Sequence, residues 1–294
     1  METNKYILKG LEHSRYEHPF DKKALSALEN TPGLEMAGKF ITKYTVEKVL
    51  SVQYTGSNLK VTKDTYPKIY QYLEYATQIL DIKTLPELYV QWGYEINACT
   101  IGSEHPMIVL NSGLLDLCND DEILFIIGHE CGHIKSNHML YHMMAQVINN
   151  IIDSIPGGSL VAAPLQYALL YWSRMSEFTA DRAGLLCCQN KTATIHAMMK
   201  LAGLPKSEFN NVAEDAFIKQ AEEFELFDDD TYSKVVKFFS IADSTHPWTV
   251  MRASELLKWI NIGEYNKFIP KDIILINDDE IQQKIEKVNS ICIE

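Results

Sequence analysis

His129, Glu130 and His133 stand in the order H-E-x-x-H within an apolar run from Ile123 to Ile134. In a helix, residues four apart share one face. Two imidazoles placed that way can grip a single Zn²⁺, and Glu130, one position along, can act on a water at the metal. A catalytic zinc takes three protein ligands and leaves a fourth position open. The third is sought downstream in Ser176–Asp181, where Glu177 and Asp181 again lie four apart. Alone, such a pair reads as a solvated acidic face. Here Leu169, Leu170, Leu185 and Leu186 flank it, so one side of that helix is buried and Glu177 becomes the expected third ligand. Asp181, one turn on, is placed to accept an N–H from a ligand histidine and fix its tautomer.

These parts make a hydrolytic site. Zinc would lower the pKa of its water towards about 7 and polarise a scissile carbonyl. Glu130 would take the proton as general base and return it to the leaving amine. His246, held at a turn by Pro247, is the expected oxyanion donor, against the plainer reading of a loop histidine. Arg252 either positions substrate, buttresses Asp181 or Glu177, or is a helix-surface charge. Asn97, Ala98, Cys99 and Thr100 are read as an edge strand to which an extended peptide adds. The plainer reading there is a core strand with no substrate contact. His138 and His142 also sit four apart, but five residues past His133 they should be rotated away from the first pair. No nearby acid completes a second site, which argues against a second metal. His13, His18, His105 and His196 read as structural or exposed.

The elements that must position these groups follow from periodicity and punctuation. Asp21–Glu29 reads as a helix stopped at Thr31-Pro32-Gly33, and a second apolar-periodic segment passes through Tyr44, Val46, Val49 and Leu50. Asp64–Asp81 reads as an amphipathic helix. Residues 88–92 and 107–110 are short, β-branched and bounded by Gly, Pro and Asn, the mark of strands, and 97–102 between them is extended. Asn119, Asp120 and Asp121 offer N-caps for the histidine helix, which is expected to run on to about Asn150. Further helices are expected over 165–189, 192–201 and much of 208–240, the last interrupted at Asp228-Asp229-Asp230. Strands early and helices late predict a helix-dominated α+β fold with a small mixed sheet. The expected division is a helical lead-in at 1–60, a main domain at 61–262 and a C-terminal extension at 263–294.

Composition bounds the function. The 294 residues suffice for one large domain, and 46% hydrophobic with 22% charged residues is ordinary for a globular protein. A net charge of −12 argues against nucleic acid or an anionic membrane as the main partner. No apolar leader opens the chain and no window reaches the ~18 apolar residues that span a bilayer, the nearest, 155–172, being broken by Pro and Gly. Six scattered cysteines, without zinc-ribbon or redox spacing, read as free and largely buried thiols. A cytoplasmic location is the resulting expectation.

Together the motifs resemble the HtpX-like zinc metallopeptidases, the gluzincin family that also contains the CaaX prenyl proteases. The resemblance rests on Asn97-Ala98, Asn111–Leu115, Ile127–Ile134, Ser176–Gly184, and Thr245-His246-Pro247 with Arg252, in the family's order over about residues 85–260. It implies a zincin-like fold and one zinc per chain, held by His129, His133 and Glu177. It further implies a catalytic Glu130, His246 near the oxyanion and Asn97-Ala98 on the substrate strand. Many members carry transmembrane helices between the histidine motif and the glutamate helix, and this chain shows none there. The reading is a soluble zinc endopeptidase acting on proteins or peptides, the alternative a latent or non-proteolytic zinc-stabilised chaperone or scaffold. Cleavage specificity and oligomeric state are not legible.

Overall fold

A computed structural model describes residues 5–35, 37–38, 46–152, 158–209, 211, 214–226 and 246–269. In chain order the elements are α1 (Pro19–Glu29), α2 (Val46–Ser57), β1 (Leu59–Lys60), α3 (Pro67–Ile79), β2 (Glu87–Gln91), β3 (Ala98–Ile101) and β4 (Met107–Asn111). Then follow α4 (Ser112–Leu117), α5 (Asp120–Lys135), α6 (Met139–Ile152), α7 (Gly158–Cys188), α8 (Lys191–Leu201), α9 (Glu214–Leu226) and α10 (Thr249–Asn261). Helix dominates, and the strands form one small mixed sheet in the order β1-β2-β4-β3. The pair β2–β4 is parallel, whereas β1–β2 and β3–β4 are antiparallel. This leaves β3 on an edge.

The period of two along each strand splits the sheet into two buried faces. Leu88, Val90, Ile108 and Leu110 point into the main core with α3 and α5. Tyr89, Ile101, Met107 and Val109 point the other way, into a smaller cluster closed by Leu50 and Tyr54 of α2. Burial on both faces explains why β2 and β4 read as continuous apolar runs rather than alternating ones.

Helix α5 begins at a capping box. The Asn119 side chain accepts from the Glu122 N–H at 3.0 Å, and Glu122 accepts from the Asn119 N–H at 2.7 Å. Glu122 is fully buried, and Lys200 of α8 neutralises it at 2.7 Å. Every residue from Glu122 to His133 is buried, as a helix apolar on all sides requires. Helix α7 lies beside it and is buried continuously from Trp172 to its end at Cys188.

The two helices meet through small residues. A Cβ on Gly132 would lie 2.6 Å from the Ala183 Cβ, one on Gly128 2.5 Å from the Cys187 Cβ, and one on Gly184 2.7 Å from the Phe125 carbonyl oxygen. None of these distances admits a side chain, so this close approach belongs to the sequence and not to chance packing. Gly132→Val is therefore expected to lower stability by about 1–3 kcal/mol, as overpacking does, measured by urea denaturation. A change within 0.3 kcal/mol would contradict the tight contact.

Three expectations need correction or limit, and one strand is new. The histidine helix does not run on to Asn150: α5 ends at Lys135, and Asn137 takes the left-handed conformation (φ 57°), which asparagine tolerates, before α6 restarts at Met139. Helix α7 starts at Gly158 and carries Pro164 inside it, earlier than expected. Strand β1, pairing Leu59 with Val90 and Lys60 with Tyr89, was not expected at all. The stretch Asp228–Asp230, Thr245, Cys292 and residues 270–294 of the expected C-terminal extension lie outside the described residues. Tyr265, Phe268 and Ile269 pack into the main core. Among the described residues the cysteines are free, with Cys131, Cys187 and Cys188 buried.

Candidate metal centre

The close approach of α5 and α7 brings two pairs of side chains, each four apart, against one another. His129 Nε2 and His133 Nε2 are 3.2 Å apart. Glu177 Oε2 lies 3.4 Å from the first and Glu177 Oε1 3.3 Å from the second. All three residues are buried. Such a triangle of donors can hold a metal ion. Glu177 Oε2 is buried and, beyond an ion pair with Arg252 at 3.4 Å, accepts no hydrogen bond among the described residues, which leaves it able to ligate a metal.

The electrostatics favour positive charge at this spot. Burial alone would push Glu177 up, but His246, His129, His133 and Arg252 outweigh it and hold the carboxyl well below the usual range. Burial alone would push His129 down, yet Asp181 and Glu177 outweigh it and raise the imidazole to about 10. His133 goes the other way, lowered by burial and by its histidine neighbours despite Glu177.

Around the triangle, Asp181 Oδ1 lies 3.0 Å from His129 Nδ1. Arg252, buried on α10, donates from Nε to Asp181 Oδ2 at 2.9 Å and from Nη2 to Oδ1 at 2.6 Å. Its Nη1 is 3.4 Å from Glu177 Oε2. Arg252 thus reaches both acids of α7 from a third helix and is itself buried. His246 is largely exposed, with Nε2 3.8 Å from Glu177 Oε1.

Glu130 is buried and points toward β3, where the Thr100 hydroxyl donates to its Oε2 at 2.5 Å. A cleft of about 250 Å³ joins Asn97, Ala98, Glu130, His129, Glu177 and His246. Two of the four edge-strand residues do not line it. Cys99 packs on the opposite face of the sheet with the Tyr89 cluster, and burial pushes its thiol up to about 12. Thr100 turns inward to Glu130, a contact that nothing in its sequence neighbourhood signalled.

His138 and His142 are not rotated away from the site. The break at Asn137 swings them back, so that His138 Nδ1 lies 3.0 Å from His133 Nδ1 and the ring centroids of His133 and His142 are 5.0 Å apart. An acid is also at hand: Asp21 of α1 sits 3.2 Å from His138 Nε2. The turn signal Ser136-Asn137 just after the histidine motif could have shown this. His18 is buried and caps α1, its Nδ1 accepting from the Phe20 N–H.

Comparison with known proteins follows the same residues. The family model described as peptidase family M48 matches residues 66–260. The chain is 30% identical over 268 residues to a plastoglobule-localized metallopeptidase 48, chloroplastic, of Arabidopsis thaliana, covering 90% of this chain and 78% of that one. It is 24% identical over 199 residues to a protease HtpX homolog of Nostoc sp., covering 58% and 68%. No solved structure gives a significant match. Among the described residues, no helix is long and apolar enough to cross a membrane. A match spanning α3 to α10, with the buried histidine helix inside it, makes this chain a metalloprotease that belongs to peptidase family M48.

Proposed function

We propose that the protein is a zinc-dependent endopeptidase in which His129, His133 and Glu177 hold the metal and Glu130 is the general base. The observation that carries this is the size of the donor triangle. The two Nε2 atoms stand 3.2 Å apart, close to the ~3.3 Å between ligand atoms of a tetrahedral ion with bonds of ~2.0–2.1 Å, and a Glu177 oxygen lies beside each of them, Oε2 at 3.4 Å from His129 and Oε1 at 3.3 Å from His133. Two imidazole nitrogens and a buried carboxylate converging on one point form a donor set that a divalent cation would satisfy. Two imidazoles and one carboxylate favour zinc.

When bound, the ion supplies Lewis-acid polarisation of the scissile carbonyl and eases deprotonation of the attacking water. The chain's own residues do the rest. Thr100 fixes Glu130 Oε2, leaving Oε1 to take the proton of the attacking water and pass it to the leaving amine. His246, on the open side of the cleft, donates to the oxyanion as it develops. Strand β3 is paired with β4 on one side only; the Asn97 carbonyl is taken by the Asn111 N–H, and the next residue, Ala98, turns its backbone to the open side where an extended substrate could add. Asp181 accepts the Nδ1 proton of His129, which keeps that histidine's Nε2 lone pair on the metal side.

The test pairs elemental analysis with cleavage of unfolded casein. One zinc per chain is expected, with cleavage abolished by a chelator and restored by added zinc. A chain that binds zinc but leaves casein and short peptides intact would favour the latent or scaffold reading instead.

A further inference from the structure

The N-terminal helix α1 lies outside the residues matched by the family model, yet it sends a carboxylate to the back of the metal centre. We infer that Asp21 and His138 form a relay that orients His133 as a ligand, so that α1 is a working part of the site and not a lead-in. This rests on the metal reading above.

The argument is one of counting protons. His133 Nδ1 and His138 Nδ1 face each other at 3.0 Å, a distance that requires one of them to donate and the other to accept. On its far side His138 Nε2 meets Asp21 Oδ2 at 3.2 Å. A carboxylate only accepts, so Nε2 carries the His138 proton. A neutral imidazole has a single N–H, so His138 Nδ1 is left as an acceptor. His133 must then donate from Nδ1, which leaves the lone pair on its Nε2, the atom in the donor triangle. The opposite tautomer of His138 would place an N–H on His133 Nε2 and block the metal.

Asp21 is itself held in place. The Thr179 hydroxyl donates to its Oδ2 at 2.6 Å, and Thr179 in turn accepts from the His18 N–H at 3.0 Å, tying the start of α1 to α7. Asp21 and His138 are 1% and 4% exposed, so water does not compete for either contact. Thus each ligand histidine has its own carboxylate: Asp181 directly for His129, Asp21 through His138 for His133. His142 is spoken for differently. Its Nε2 donates to Ser176 Oγ at 3.0 Å, because the Ser176 hydroxyl is committed to the Ser173 carbonyl at 2.8 Å.

The experiment measures zinc affinity by chelator competition in the full chain for wild type, Asp21→Leu, His138→Leu and the double variant, with circular dichroism of the metal-free proteins as the fold control. Each single substitution is expected to weaken zinc about 10–100-fold, the usual effect of losing a group behind a ligand. The double variant is expected to bind as His138→Leu does, since without His138 the acid has no path to His133. Additive losses would assign the two residues separate structural roles and overturn the relay. So would unchanged affinity in His138→Leu. Selective ¹⁵N-histidine NMR of zinc-loaded wild type needs no substitution and stands even if a variant does not fold. An Nε2–H tautomer for His138 and Nδ1–H for His133 are expected, and an Nδ1–H on His138 overturns the proposal. Two zinc ions per wild-type chain would show that His133, His138 and His142 hold an ion of their own, and would overturn it too. A wild type that binds no zinc removes the metal reading and the relay with it, an outcome distinct from zinc binding that ignores Asp21 and His138.

Discussion

Glu130→Gln lowers the rate of casein or peptide cleavage by about 10²–10⁴-fold while the zinc content stays at one per chain, measured by initial rates and elemental analysis on the same preparation. The substitution keeps size and shape in a buried position, and the amide oxygen can still accept the Thr100 hydroxyl that now reaches Oε2. What it removes is the capacity to take a proton. Because Glu130 is not among the donor atoms of the triangle, metal affinity should hold. The folding cost should be small as well, since a neutral amide replaces a carboxylate in a mostly desolvated place. A variant with more than a tenth of wild-type activity would move the proton-accepting role elsewhere. A variant that loses its zinc would instead make Glu130 part of the metal's support.

The candidate metal centre is legible in the sequence to the extent that it is helical. His129 with His133, and Glu177 with Asp181, declare themselves because spacing by four is a geometric statement once a helix is granted. The leucines flanking the acids indicate that their helix is buried. What the spacing leaves open is the distance between the two helices. That is set by Gly128, Gly132 and Gly184, whose role shows only when the partner atoms are known. The contributions from outside the motifs were illegible for a similar reason. Asp21 reaches the site from the first helix, Arg252 from a late one and Thr100 from a strand, each fixed by tertiary packing and not by local pattern. The misplacement of His138 and His142 has a single cause. One left-handed residue, Asn137, breaks the helical phase on which the expectation was built. At the level of the fold, β2 and β4 announce themselves by composition, whereas the two-residue β1 has too little sequence to carry a period.

Arg252→Met should destabilise the metal-free protein by about 3–5 kcal/mol at neutral pH, the cost of stranding buried charge, and the loss should shrink both on adding zinc and on acidification. In the native chain Arg252 lies against two buried carboxylates, with its Nη2 2.6 Å from Asp181 Oδ1 and its Nη1 3.4 Å from Glu177 Oε2. Burial by itself would raise the Asp181 carboxyl, but Arg252 first and then His129 hold it below its ordinary value, and Glu177 is held low as well. Groups depressed in this way contribute stability above the unfolded carboxylate range of ~3.9–4.3, and that contribution is lost as pH falls through their folded values. Methionine fills much of the same volume but offers no charge, so burial takes over and both acids shift upward. The variant therefore loses most stability where the carboxylates must stay ionised, near pH 7, and least near pH 4, where they can take up protons. Zinc supplies a different cation to Glu177, so the holo-variant recovers part of the loss, while Asp181 still depends on His129 alone. Thermal unfolding of wild type and variant at pH 7 and pH 4, each with and without zinc, gives the four differences needed. Equal destabilisation at both pH values would mean that Arg252 acts through the packing of its stem. A difference that narrows with acid and with metal would assign its effect to the charge it places between the two acids of α7.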